Sequence, residues 1–184
     1  MTEAFVRLSK NLKRGALALL LALGMTVPAE ASTIPGFRIK ATLGLNAPMG
    51  PGDYAWNADG VPAGPLRVVV DLRAQRLYVY RGGIEIGRTF ILYGADDKPT
   101  PTGTFSILQM RRHHVSNLYG APMPYMMRLT WDGVALHSST VDGESATHGC
   151  VGMPDEFAAL LFKEAKLGDR VTVTNNWMPS IYGA

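Results

Sequence analysis

The stretch RVVVDLRAQRLYVYRGGIEIGRTFILYG, residues 67–94, decides which class of fold this sequence can form. It opens with a run of β-branched residues, and QRLYVYR then alternates side chains with the two-residue period of a strand. Gly82-Gly83 interrupts the pattern before another apolar run, as is typical of a tight turn. These residues therefore predict a β-hairpin.

The residues downstream of this hairpin predict more strands and one helix. The further strands are predicted in TPTGTFSILQM, YMMRLTW, GVALHS and RVTVTN. The helix is predicted to start after Met153, with Pro154 in its first turn and two acidic residues at the positive end of its dipole. Apolar residues repeat along one face, and Gly168 is predicted to end the helix. The sequence thus predicts a mostly β architecture with one main helix.

The N-terminus has the pattern of an export signal. Four basic residues precede the apolar run Gly15–Val27, and the small-x-small sequence AEA lies directly before Ser32. The run is short for a membrane span, and an uncleaved anchor is the alternative interpretation. No cysteine lies near the cleavage site, which excludes a lipoprotein anchor. We expect residues 1–31 to be removed on export to the periplasm or cell envelope, with no stable membrane insertion afterwards.

Removal of the signal changes the net charge, and the remaining chain is long enough for one hydrophobic core. The chain has 18 Lys+Arg against 15 Asp+Glu, whereas the part after residue 31 keeps 14 and 13, a net charge of +1. This balance excludes the basic surface of a nucleic-acid-binding protein. Residues 32–65 are rich in Gly and Pro and predict an irregular arm, or in part a linker, that packs through Phe37, Tyr54 and Trp56. Residues 66–175 are predicted to form the main domain, and residues 176–184 a tail.

The only cysteine, Cys150, lies in HSSTVDGESATHGCVGM, residues 137–153. One cysteine in an exported chain cannot form an internal disulfide, so it is an intermolecular bridge or a reactive free thiol. His137 ends a predicted strand and Cys150 precedes the helix, which places both at the rim of a sheet. An imidazole can take the thiol proton to give a thiolate–imidazolium pair, and Gly149 allows successive N–H groups to face a developing oxyanion.

Two other interpretations of these residues are open. Cys150 can be a buried structural thiol, although burial does not explain two nearby histidines in an exported chain. His137, His148 and Cys150 can be metal ligands, although zinc sites usually have a fourth ligand and more regular spacing. Nucleophilic catalysis is the favoured interpretation.

Three motifs in this order resemble the L,D-transpeptidase catalytic domain, the YkuD family. They are the hairpin VVVDLRAQRLYVYRGG, the segment DDKPTPTGTFSIL, and a histidine followed at a distance by Thr-His-Gly-Cys. The resemblance covers about residues 65–175 and implies a β-sandwich-like domain with a mixed sheet and one flanking helix.

The resemblance also implies roles for individual residues. Cys150 would be the acylated nucleophile and His137 its general base, with the carbonyl of Ser138 holding the imidazole. The loop residues that would shape the oxyanion hole are Thr147, His148 and Gly149. The implied chemistry uses no metal or organic cofactor. A peptidoglycan tetrapeptide stem loses its terminal D-alanine to Cys150, and an amine on a neighbouring stem accepts the acyl group. An L,D-carboxypeptidase and a catalytically weak binding module are the alternatives, and the oligomeric state stays open.

The sequence departs from the family pattern at two points. Gly152 stands where the family usually has Arg, and Arg128 is a candidate substitute for its charge. The gap between His137 and Thr147 is shorter than in many members. We expect the loop to have adapted to glycine at position 152, with a positive φ as one possible reason.

Overall fold

A computed structural model describes residues 5–7, 34, 36–45, 48–95, 97–143 and 146–177. These residues form eleven strands and one helix. The strands are β1 (Phe5–Arg7), β2 (Tyr54–Trp56), β3 (Leu66–Asp71), β4 (Arg76–Arg81), β5 (Ile84–Phe90), β6 (Gly103–Ser106), β7 (Gln109–Arg111), β8 (Met126–Arg128), β9 (Ala135–Ser138), β10 (Val151–Met153) and β11 (Arg170–Thr174). The helix, α1 (Asp155–Glu164), lies between β10 and β11.

The strands form two mixed sheets. The larger sheet has seven strands in the order β1-β2-β5-β4-β3-β11-β6, and the smaller has four in the order β10-β9-β8-β7. β11 runs parallel to β3 and β10 runs parallel to β9, whereas the other paired strands are antiparallel. The predicted mostly β fold, with a mixed sheet and one main helix, is confirmed for the described residues.

The main core lies between the two sheets, and α1 covers part of it. Buried side chains from both sheets contribute: Val68, Val70, Leu77, Val79, Met127, Leu136, Val151 and Met153. The helix adds Phe157, whose ring packs edge-on against Tyr54 at 6.1 Å and Trp56 at 5.4 Å between centroids. Burial of this apolar surface therefore fixes the smaller sheet and the helix against the larger sheet.

The predicted hairpin is present as β4 and β5, joined at Gly82-Gly83, and both glycines have positive φ. The prediction of one strand in TPTGTFSILQM is wrong, because that segment forms β6 and β7 in different sheets. Between β6 and β7 the chain passes from the larger sheet to the smaller one, and two consecutive amides mark the change. Ile107 N–H donates to Asp169 O at 3.0 Å, and Leu108 N–H donates to Arg128 O at 2.8 Å.

The helix differs from the prediction at both ends. Pro154 occupies the N-cap position, one residue before the helix, rather than the first turn. The helix ends at Glu164 because Ala165 is extended, with ψ 154°. Gly168, predicted to end the helix, instead has φ 88° in the turn that leads into β11.

The segments outside the predicted main domain pack against the larger sheet. The arm predicted to be irregular includes β2, and its Phe37 ring lies 5.2 Å from Tyr80 and 6.0 Å from Trp177 between centroids. Trp177, in the predicted tail, is buried. Most of the predicted signal lies outside the described residues, although β1 pairs with β2. Within the described ranges, no helix is long and apolar enough to cross a membrane.

Candidate active site

One face of the smaller sheet lines a cleft of about 980 Å³. We call a set of residues that are paired across neighbouring strands a row, and two rows lie side by side on this face. In one row, β9 and β10 pair His137 with Gly152. In the other row, Cys150 lies opposite Ala135, because the pairing of Val151 with Leu136 continues by one residue before β10. Residues two apart on a strand point to the same face, so Ala135 and His137 share the cleft side. The topology thus brings Cys150 and His137 to neighbouring positions of one surface.

Cys150 is half-buried at the end of the nucleophile loop, which we define as residues 146–150. Its Sγ donates to the carbonyl of Gly133 at 3.5 Å. Burial raises the pKa of the thiol, while a hydrogen bond from the Ala135 backbone and the charge of Arg128 oppose the rise. The resting sulfur is therefore a protonated thiol at neutral pH.

His137 is half-buried opposite Gly152 in the middle of β10, and its ring is held by the backbone. Nδ1 lies 2.7 Å from the carbonyl oxygen of Ser138. This contact makes Nδ1 the protonated nitrogen of the neutral ring and leaves Nε2 as a base. Burial lowers the pKa of His137, the contact with Ser138 opposes this, and nearby His114 reinforces it. The resting imidazole is accordingly neutral.

Ser138 does not turn its side chain toward the cleft. Its hydroxyl donates to Asp155 Oδ1 at 2.8 Å, and its N–H donates to Pro124 O at 2.9 Å. The residue beside His137 is thus fixed to the first turn of α1 and to the chain before β8. From the sequence, Asp155 was expected to interact only with the helix dipole, and its spacing from Ser138 gave no signal for this contact.

The nucleophile loop is supported from behind by residues 93–95 and by the chain at Lys98. Thr147 exchanges backbone hydrogen bonds with Tyr93 and Ala95, and its hydroxyl donates to the carbonyl of Cys150. A Cβ added to Gly94 would lie 2.1 Å from Lys98 O and 2.9 Å from Gly149 Cα, so only glycine fits there. The loop therefore rests on the backbone of residues 93–95, and the DDKPTPTGTFSIL motif contributes the Lys98 carbonyl beside it.

The two glycines beside Cys150 differ in conformation. Gly149 is buried with φ 101°, a region that L side chains rarely adopt. Gly152 is a β10 residue and is not among the positive-φ glycines, so the positive φ considered for it is wrong. Its need for a small residue has a steric cause, because an added Cβ would lie 2.8 Å from the Cβ of Ser139.

His148 lies at the rim of the cleft, where its exposed ring stacks on Tyr119 at 4.5 Å between centroids. Cys150, His137, His148 and Gly149 all line the same cleft, whereas Ser138 contributes its carbonyl from the side. Among the described residues, no group of three or more His, Cys, Asp or Glu side chains could hold a metal ion.

Comparison with known proteins identifies the family. The sequence profile of the L,D-transpeptidase catalytic domain, YkuD, matches residues 65–173, which is more than half of the chain. This chain belongs to that family. The predicted resemblance is thereby confirmed, and the matched range includes both rows of the candidate site.

Individual L,D-transpeptidases are similar to parts of this chain. L,D-transpeptidase 1 of Mycobacterium tuberculosis is 30% identical over 123 residues, covering 57% of this chain and 49% of that protein. The chain thus spans about half the length of the curated relatives it matches. The solved L,D-transpeptidase of Stackebrandtia nassauensis is 25% identical with a TM-score of 0.57, over 67% of this chain and 63% of its own. An L,D-transpeptidase solved with imipenem has a TM-score of 0.58 at 23% identity, over 67% and 68%.

Two features of this L,D-transpeptidase catalytic domain were missed in the sequence. Ser139 lines the cleft and limits the size of residue 152, yet nothing in the pattern HSST separates it from its neighbours. Arg128 was considered for its charge, but its position on the cleft wall with His114, 14 residues away in sequence, was not predicted. Only the pairing of strands brings such residues together.

Proposed function

We propose that this chain is an exported L,D-transpeptidase that joins peptidoglycan stem peptides through a Cys150 thioester. The observation that carries the proposal is the placement of Cys150 and His137 in adjacent rows of one cleft in a chain of this family. Ser138 holds the imidazole from one side, and Gly149 gives the nucleophile loop its turn.

The reaction starts from a neutral thiol and a neutral imidazole. Sγ of Cys150 attacks the carbonyl carbon of the third stem residue while Nε2 of His137 takes the thiol proton. Backbone N–H groups at Gly149 and Cys150 stabilise the oxyanion. The C–N bond to D-alanine then breaks, and His137 returns the proton to the departing amine. An amine of a second stem attacks the thioester, His137 takes its proton, and the thiolate leaves to regain that proton.

The deciding experiment mixes the protein without residues 1–31 with a disaccharide-tetrapeptide and follows the products by mass. A cross-linked dimer with loss of one D-alanine per link is the expected result. A trimmed tripeptide alone would mean that water is the acceptor, as in an L,D-carboxypeptidase. An unchanged substrate would overturn the proposal in favour of a binding module. Cys150→Ala is the control, and it should fold normally and form neither product.

A second measurement tests the acyl-enzyme without a donor stem. Imipenem is the ligand of one structural relative, so we expect a carbapenem to add its mass once per chain to the wild-type protein and not to Cys150→Ala. A wild-type thiol that stays unmodified after prolonged exposure would contradict the assignment of Cys150 as the nucleophile.

A further inference from the structure

One row of the smaller sheet contains both a positively charged side chain and Cys150. Arg128 on β8 is paired with Gln109 on β7 and with Ala135 on β9, and Cys150 is next in the row. Neighbouring strands lie about 4.8 Å apart, so the Arg128 and Cys150 backbones are separated by about 10 Å. A single methyl side chain, that of Ala135, stands between them. Arg128, Ala135 and Cys150 all line the cleft.

The guanidinium of Arg128 is held in place by a neutral group. Its Nε donates to Gln109 Oε1 at 3.1 Å. Among the described residues, no carboxylate forms an ion pair with it, and the acidic residues that line the cleft, Asp97 and Asp132, are both exposed. A half-buried arginine that is fixed in orientation but not neutralised retains its affinity for an anion.

His114 adds a second group to the same wall. It is half-buried and lines the cleft with Arg128. Burial lowers the pKa of His114, and the charges of Arg128 and Arg111 lower it further. His114 in turn lowers the pKa of His137, and both histidines line the cleft. The fixed positive charge of this wall is therefore that of Arg128, and the imidazole of His114 adds a hydrogen-bonding group beside it.

We propose that Arg128 and His114 form an anion subsite that binds a carboxylate of the donor peptide next to Cys150. The planar guanidinium matches the two oxygens of a carboxylate, and the partly desolvated cleft strengthens the attraction. The identity of the ligand rests on the proposed function. The terminal carboxylate of D-alanine and any side-chain carboxylate of the stem share this chemistry.

The subsite can be tested without a peptide by alkylating Cys150 with iodoacetate and with iodoacetamide. The same thiolate displaces iodide from both reagents, so the ratio of their rate constants is independent of the thiol pKa. The excess of this ratio over that of a small thiol reports how the site interacts with the charge of the reagent. We expect the ratio to exceed that of N-acetylcysteine amide by about five- to tenfold, as for one partly screened charge interaction. A wild-type ratio equal to that of the small thiol would overturn the proposal.

Variants assign the effect to Arg128. Arg128→Gln should bring the ratio down to that of the small thiol, and Arg128→Lys should keep part of it. Arg73→Gln removes an exposed arginine outside the cleft and should leave the ratio unchanged. If Arg128→Gln fails to fold, the wild-type protein still tests the subsite. Its ratio of rate constants should fall as the salt concentration rises from about 20 mM to about 500 mM. A ratio unaffected by Arg128→Gln or by salt contradicts the subsite.

Stem peptides then locate the bound carboxylate. For the tetrapeptide with a free C-terminus, Arg128→Gln should raise KM by about tenfold with a smaller change in kcat. If amidation of that terminus abolishes the effect of Arg128→Gln on KM, the terminal carboxylate is the ligand. If the effect on KM persists, the ligand is a side-chain carboxylate. Equal KM values in wild type and variant for both peptides would refute the peptide role. A protein that turns over no stem yet keeps its iodoacetate preference would refute the proposed function and leave the subsite standing.

Discussion

Replacing Gly152 with alanine tests whether steric contact explains the small residue at this position. The added Cβ would lie 2.8 Å from Ser139 Cβ and 3.5 Å from Leu92 Cβ, and only the first distance requires movement. An extra methyl group in a packed site costs about 1–3 kcal/mol. Restriction of the unfolded chain offsets about 0.4–1 kcal/mol, because φ at Gly152 is not positive. We therefore expect Gly152→Ala to lower the free energy of unfolding by about 1–2 kcal/mol.

Urea denaturation of a double-mutant cycle with Ser139→Gly measures this contact directly. Removing the Ser139 side chain should make Gly152→Ala nearly neutral, with a coupling free energy of about 1 kcal/mol or more. Gly44→Ala is the matched control, since Gly44 has no positive φ and its added Cβ would meet nothing within 4 Å. The steric argument is refuted if Gly152→Ala costs the same whether residue 139 is serine or glycine.

Three further predictions concern the base, its neighbour and the C-terminal residues. Because burial lowers the pKa of His137 below 6.5, the unfolded chain binds its proton first, so unfolding free energy should fall as pH drops below 6.5. His137→Gln should lose this dependence in urea titrations and be acylated by a carbapenem about 10²–10⁴-fold more slowly. Ser138→Ala removes the hydrogen bond to Asp155 but keeps the carbonyl that faces His137. It should cost about 1 kcal/mol in urea and slow acylation less than tenfold. Trp177→Ala should cost about 3–5 kcal/mol, and a thermal midpoint equal to wild type would mean that this ring contributes no packing.

The sequence was sufficient to predict the elements whose signal is local. The β4–β5 hairpin follows from alternation and a Gly-Gly turn, and the helix follows from a periodic apolar face. Two of the short strands carried no such signal. β2 and β10 have three residues each, too few to establish a period, and they exist because they pair with β5 and β9.

The same distinction applies to the candidate site. Cys150 and His137 were predicted because a lone cysteine in a chain expected to be exported is unusual, and the surrounding motif gave it a chemical role. The contacts that orient them depend on which strands become neighbours. The wrong positive φ at Gly152 came from treating it as a loop residue, whereas its pairing with His137 makes it part of a strand.

The consecutive amides at Ile107 and Leu108 give this domain a built-in reporter of its cooperativity. The Ile107 amide donates to Asp169, directly before β11 of the seven-stranded sheet. The Leu108 amide donates to Arg128 in the four-stranded sheet that carries His137. Hydrogen exchange at two adjacent amides therefore measures the opening of each sheet separately. Equal protection would mean that the sandwich opens as one unit. Faster exchange at Leu108 would mean that the layer bearing the reacting groups separates from its scaffold while the scaffold stays closed.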